Sequence, residues 1–152
     1  MLVTDDIVQK TLEKITLAIK TNNWSAINQE LSTKRLAWLA EHWNMFPDAI
    51  TDVRRAYLLL MAKLDVTTLE APVVFENREK IIWHSRNPCP VLEACQLGGY
   101  DTREVCKRGY EQSVQLFVEQ VNPHLVFSRN YKKIRPHADL GFCEEMIEIQ
   151  YW

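Results

Sequence analysis

Val73-Val74-Phe75-Glu76-Asn77-Arg78-Glu79-Lys80-Ile81-Ile82-Trp83 is the stretch that decides the fold class. Two runs rich in β-branched and aromatic residues flank a polar segment, Glu76 to Glu79, which is the pattern of a β-hairpin. Asn87-Pro88 ends the second run. Upstream the grammar is helical. Val8, Leu12, Ile15 and Ile19 recur at helical spacing and share one face, until Thr21-Asn22-Asn23 interrupts them. A second helix is predicted from about Trp24, with Ile27, Leu31, Trp38 and His42 near one line and Leu36, Leu39 and Trp43 widening it. Phe46-Pro47-Asp48 ends it, since proline cannot continue the hydrogen-bond ladder. Asp48 is expected to cap a third helix with Val53, Tyr57, Leu60, Met61 and Leu64 as its buried stripe.

Downstream of the hairpin, a short helix from Pro90 to Leu97 is expected to close at Gly98-Gly99. Asp101 and Glu104 have capping-box spacing. The helix they open is predicted to carry Cys106, Tyr110, Val114, Phe117 and Val121 on one face, up to Asn122-Pro123. Leu125-Val126-Phe127 starts a further strand. Cys143, Glu145, Ile147, Ile149 and Tyr151 alternate along the last one, opposite Glu144, Glu148 and Gln150. The reading is one α+β domain over residues 1–152, helical over 1–65 and mixed over 66–152. Its N-terminal helices pack on an antiparallel sheet of about four strands, with further helices between the strand pairs.

The composition is that of a folded chain: 152 residues, 47% hydrophobic and 25% charged. A net charge of −2 argues against an electrostatic claim on nucleic acid or anionic membranes. Neither a signal-peptide pattern nor a long apolar run is visible, which gives the expectation of a cytoplasmic protein with reduced thiols. Homo-oligomerisation is left open. Trp24, Trp38 and Trp43 are expected in the core, and Trp152 over a sheet edge or a partner subunit.

All four cysteines, Cys89, Cys95, Cys106 and Cys143, lie in the second half. No C-x2-C knuckle is present, although a zinc or iron–sulfur site would need these thiolates to converge at about 2.3 Å from a metal. The bland reading is that Cys106 and Cys143 are core residues, since each shares a face with apolar neighbours. Cys89, between two prolines at a strand-to-helix junction, is the first choice for a functional thiol.

The order Asn87-Pro88-Cys89-Pro90-Val91-Leu92-Glu93-Ala94-Cys95, then Cys106, then Cys143, resembles the L-2-amino-thiazoline-4-carboxylic acid hydrolase-like family and related cysteine-bearing bacterial proteins. The resemblance runs from Trp38 to Ile149 on few positions. Gly141 precedes the last cysteine as in that family, whereas Gly109-Tyr110-Glu111 follows the middle one only loosely. It implies the fold, and a small hydrolase with Cys89 as nucleophile. A fainter similarity, to the vinyl-reductase-type ligand-binding domain, implies sensing or carrying a small molecule with metal held by thiolates. The glycine-rich signature of that domain is missing.

Further candidates complete the set. His84 precedes Cys89 and Glu93 follows it, so thiol, imidazole and carboxylate lie close in sequence; the bland alternative is that His84 faces solvent. His137 is the other candidate base. The basic stretch Arg129 to His137, with Arg129, Lys133 and Arg135, reads either as a solvated strand end or as a loop holding the anionic group of a small ligand. Trp83 is expected to line the ligand site. Three functions follow: a small-molecule or metal-binding protein with a cysteine-lined pocket between helices and sheet, a cysteine hydrolase, or a structural module with inert thiols.

Overall fold

The computed structural model describes residues 2–137 and 140–151, and Trp152 lies outside them. Three helices come first: α1 (Asp5–Thr21), α2 (Ser25–His42) and α3 (Asp52–Leu64). The hairpin β1 (Val73–Glu76) and β2 (Lys80–Ser85) follows, then α4 (Pro90–Gly98), α5 (Thr102–Gly109) and α6 (Gln112–Glu119), and finally β3 (Leu125–Arg129) and β4 (Cys143–Ile149). The four strands form one antiparallel sheet in the order β1-β2-β4-β3, so the fold is α+β as the sequence predicts.

Local chemistry sets the helix ends. Thr4 Oγ1 accepts from the Ile7 amide to open α1, and Asn22 closes it in the left-handed region. Thr51, rather than Asp48, caps α3 by accepting from the Arg54 amide at 3.2 Å; Asp48 lies in the preceding turn. Arg55 then stacks on Trp43 and donates to its carbonyl, joining the end of α2 to α3. Pro90 occupies the first turn of α4, where its missing N–H costs nothing, and Gly99 ends the helix at φ 70°. Asp101 caps α5, but Glu104 pairs with Arg108 instead of returning to the cap, so only half of the predicted box forms.

The single helix predicted from Asp101 to Asn122 is in fact two. Gly109 lies under the Trp24 ring, where a Cβ would stand 3.0 Å from a ring carbon, and Tyr110 leaves helical geometry at φ −132°, ψ 2°. Buried Asn28 reinforces the break by donating to the Arg108 carbonyl at 2.9 Å. Ile19, expected on the buried face of α1, is exposed.

The sheet presents one face to the helices. Ile81 and Trp83 of β2, Leu125 and Phe127 of β3 and Ile147 of β4 are buried there with α3 and α6 residues, including Tyr57 and Phe117. A second cluster joins Val8 and Ile15 of α1 to Val91, Ala94 and Cys95 of α4 and Val105 of α5. Trp38 and Trp43 pack on the first cluster and Trp24 on the second, as expected of core tryptophans.

Inside the first cluster, the Tyr57 hydroxyl donates to the Ala71 carbonyl at 2.5 Å, tying α3 to the segment that leads into β1. Tyr57→Phe leaves that buried carbonyl without its donor. The expected loss is about 1–2 kcal/mol of unfolding free energy. Urea denaturation monitored by circular dichroism checks this, and an unchanged midpoint would show that the bond contributes nothing.

Candidate functional site

The helix-facing side of the sheet is apolar at one end and polar at the other. Register places Glu145 between Trp83 and Arg129 across three strands, and Cys143 opposite Ser85. Ser85 Oγ donates to one Glu145 oxygen at 2.6 Å, and Arg129 Nε pairs with the other at 3.3 Å. This polar end faces a cavity of about 300 Å³ at the seam between the two apolar clusters. Every helix but α6 contributes to its walls, as do β2, β3 and β4.

Cys89, Cys106 and Cys143 line the cavity. Cys95 does not: it is fully buried in the α1–α4–α5 cluster. The expected four-thiolate set therefore does not assemble, and among the described residues no three His, Cys, Asp or Glu side chains are placed to hold a metal ion. Cys106 and Cys143, read from their apolar neighbours as core residues, are instead half-buried parts of the wall.

The three thiols differ in surroundings. Burial pushes Cys106 up to about 12, against the opposing charge of Arg129. Burial also raises Cys89, although the amides of Leu92 and Val91 at the start of α4 and the Arg135 charge favour its thiolate. Cys143 has a different setting, because both the backbone N–H and the guanidinium Nε of Arg135 donate to its sulfur at 3.4 Å. Arg135 Nη1 also donates to the Asn87 carbonyl at 2.9 Å, so one side chain joins the approach to α4 to the start of β4.

Cations outnumber carboxylates in the lining. Lys14 and Glu30 pair at the rim at 2.7 Å, and Lys34 joins Glu30 from outside the cavity. Deeper in, the lining holds three guanidinium groups, Arg35, Arg129 and Arg135, and one carboxylate, Glu145, which pairs with Arg129. Burial alone would lower Arg129, but the charge of Glu145 leads the interactions that raise it overall. Its Nη1 is buried without a hydrogen-bond partner. Arg35 is only 9% exposed and lines the cavity with the Ser113 hydroxyl as its hydrogen-bond partner. Burial first, and then repulsion from Arg129, lower it to about 10.

Of the residues singled out in the sequence, Cys89, Cys106, Cys143, Arg129 and Arg135 meet at this cavity. Trp83 does not line it; the ring is fully buried in the first cluster, one cross-strand step from Glu145. Lys133 approaches Glu144 at 3.8 Å instead. His84 lies on the opposite face of the sheet, 3.0 Å from Glu144 and stacked on Phe142. Alternation explains the displacement, since Ser85 takes the inward position and His84 the outward one. Glu93 is exposed on α4, and His137 bridges to Leu140 in the β3–β4 connection, so neither completes a triad with Cys89. Sequence reasoning passed over Arg35, Glu145, Ser85 and Tyr110 as site residues. A second, more open groove of about 590 Å³ lies near Met45, Phe46 and Ile50, and its Arg54 and Glu76 neutralise each other.

Comparison with protein-family models, with curated proteins and with solved structures finds no match for this chain.

The raised thiol and phenols give a pH dependence with a definite sign. Cys106, Tyr110 and Tyr131 are all pushed up by burial, so the folded chain keeps protons that the unfolded chain releases. For Cys106 the stabilisation is fully present below the ordinary thiol value of 9.0 and is lost as pH rises toward about 12. The urea midpoint is expected to fall through this interval, and Cys106→Ala to flatten part of the fall. A midpoint indifferent to pH there would contradict the assigned burial.

Proposed function

We propose that this chain is a small-molecule-binding protein whose cysteine-lined cavity takes a compact organic anion. The observation that carries the reading is Arg35, a guanidinium nine-tenths buried against the cavity with a hydroxyl rather than a carboxylate as its partner. A buried cation with no carboxylate in direct contact among the described residues is costly, and an anionic ligand reduces that cost. Arg129 adds a buried N–H with no acceptor. The volume, about 300 Å³, is at the small end for ligand sites, which suits a metabolite-sized molecule. Ile27, Leu31, Met61, Leu64 and Ile134 supply apolar wall for its body.

The hydrolase reading, with Cys89 as nucleophile, has less support. A cysteine hydrolase needs a proton acceptor within reach of the thiol. Neither His84 nor His137 lines the cavity, and Glu145 is already engaged by Ser85 and Arg129. The proposal keeps the sequence reading of a cysteine-lined site in the cytoplasm but does not involve a metal.

Calorimetric titration with benzoate and hexanoate tests the proposal, with hexylamine as the cationic counter-probe. Both carboxylates are expected to bind and the amine is not. Arg35→Met is expected to weaken carboxylate binding by about tenfold to a hundredfold, the worth of a charge-assisted hydrogen bond. Equal affinity in Arg35→Met, or binding of the amine alone, would end the proposal.

The same substitution makes a separate prediction about stability. A buried cation with no ion-pair partner bears its desolvation cost without a Coulombic return, so an apolar side chain of similar length removes that cost. Arg35→Met is therefore expected to unfold within about 1 kcal/mol of the parent, or at higher denaturant. A loss of 3 kcal/mol or more, roughly the cost of breaking a buried pair, would assign Arg35 a structural role instead.

A further inference from the structure

Two of the cavity thiols are connected by one side chain. Arg135 donates through Nε and its backbone N–H to Cys143 Sγ, and through Nη1 to the carbonyl of Asn87, two residues before Cys89. The strands bring the same segments together: Ser85, the last residue of β2, is the cross-strand partner of Cys143, and the chain turns from there through Asn87-Pro88 to Cys89. Directly opposed residues of antiparallel strands have Cα atoms about 4.5–5.5 Å apart. Both sulfurs are free, both line the cavity, and each lies where its residue meets irregular chain rather than in the middle of an element. A disulfide needs Cα atoms about 4.4–6.8 Å apart, and only the short irregular segment 86–89 leads from Ser85, the residue opposite Cys143, to Cys89.

From this arrangement we infer that Cys143 and Cys89 are an oxidisable pair that closes to a disulfide in the wall of the cavity, with Cys143 reacting first with a hydroperoxide. The sulfur of Cys143 attacks one peroxide oxygen and the O–O bond breaks, leaving a sulfenic acid and releasing water, or an alcohol from an organic peroxide. The sulfur of Cys89 then attacks that of Cys143, the S–O bond breaks, and a second water leaves. The two thiols together give up two hydrogens and two electrons, and the peroxide accepts them.

Position separates this pair from the other two thiols. Cys95 is sealed in the α1–α4–α5 cluster with no exposed surface. Cys106 shares the cavity, but it belongs to α5 and, among the described residues, receives no hydrogen bond comparable to the two that Arg135 gives Cys143. Burial also holds it strongly in the thiol form. The inference does not depend on the identity of any cavity ligand, because the bond forms between two side chains of the chain itself.

The test treats the fully reduced protein with hydrogen peroxide near neutral pH, blocks the remaining thiols and maps disulfides without reductant. Glutamyl cleavage after Glu93 separates Cys89 from Cys95, so the two are distinguishable. The expected product is a crosslinked peptide pair containing Cys89 and Cys143 that disappears on reduction with dithiothreitol. Cys89→Ser is expected to trap a sulfenic acid at Cys143, detected as a dimedone adduct, and Arg135→Gln to slow its formation. A crosslink that uses Cys95 or Cys106, or wild-type protein that keeps four titratable thiols throughout, would overturn the inference. So would a dimedone adduct at Cys89 in Cys143→Ser with none at Cys143 in Cys89→Ser. The wild-type peptide map decides the question even if a variant does not fold.

Discussion

The buried pairing of Arg129 with Glu145 constrains everything around it. Neither charge can leave the helix-facing side of the sheet, because each alternates in register with large apolar residues on its own strand. The Glu145 carboxylate is held by the Ser85 hydroxyl on one oxygen and by the Arg129 guanidinium on the other. Such a pair resists close apolar packing over it, since removing water from a charge requires a partner for every remaining donor. The core accordingly forms in two clusters, one on the apolar end of the sheet and one among α1, α4 and α5, with a cavity where they meet.

Folding pressure does not account for Arg35. A leucine or methionine at that point of α2 would extend the stripe of Ile27, Leu31 and Leu39 and join it to the core below. An isolated cation costs stability there and supplies a directed N–H donor in a water-poor space, which is the property a recognition site requires. The break between α5 and α6 has a related effect, because it turns Tyr110 from a position on a continuous helix face into part of the cavity lining.

Much of the architecture was legible because periodicity records burial directly. The hairpin, the stripe of α3 and the proline-started α4 formed as predicted; β4 alternates as expected as far as Ile149, whereas Tyr151, expected on its inward row, lies beyond the strand and is exposed. The split after Gly109 was not legible: Cys106, Tyr110, Val114 and Phe117 keep helical spacing across it, and the cause is a distant ring, Trp24, pressing on a glycine. In the site, residue types were easier to read than directions. Glu145 stood among apolar residues on its strand and Arg35 stood between Leu31 and Trp38 on its helix, each a charge in an apolar row. Both were signals of a buried polar site. Whether His84 or Ser85 faced inward depended on a single residue of register, and whether Cys95 joined the other thiols depended on how α1 packs against α4.

The rim of the cavity has a mechanical property that follows from how α1 and α2 are anchored. α1 rests mainly on α4 and α2 mainly on α6, and the two helices touch each other little. Lys14 and Glu30 join them through water-accessible side chains, a link worth about 0–1 kcal/mol. Parting the two helices near Lys14 and Glu30 would therefore break a weak latch and few other direct contacts between them. A solute could reach the interior through thermal opening of that gap, without partial unfolding.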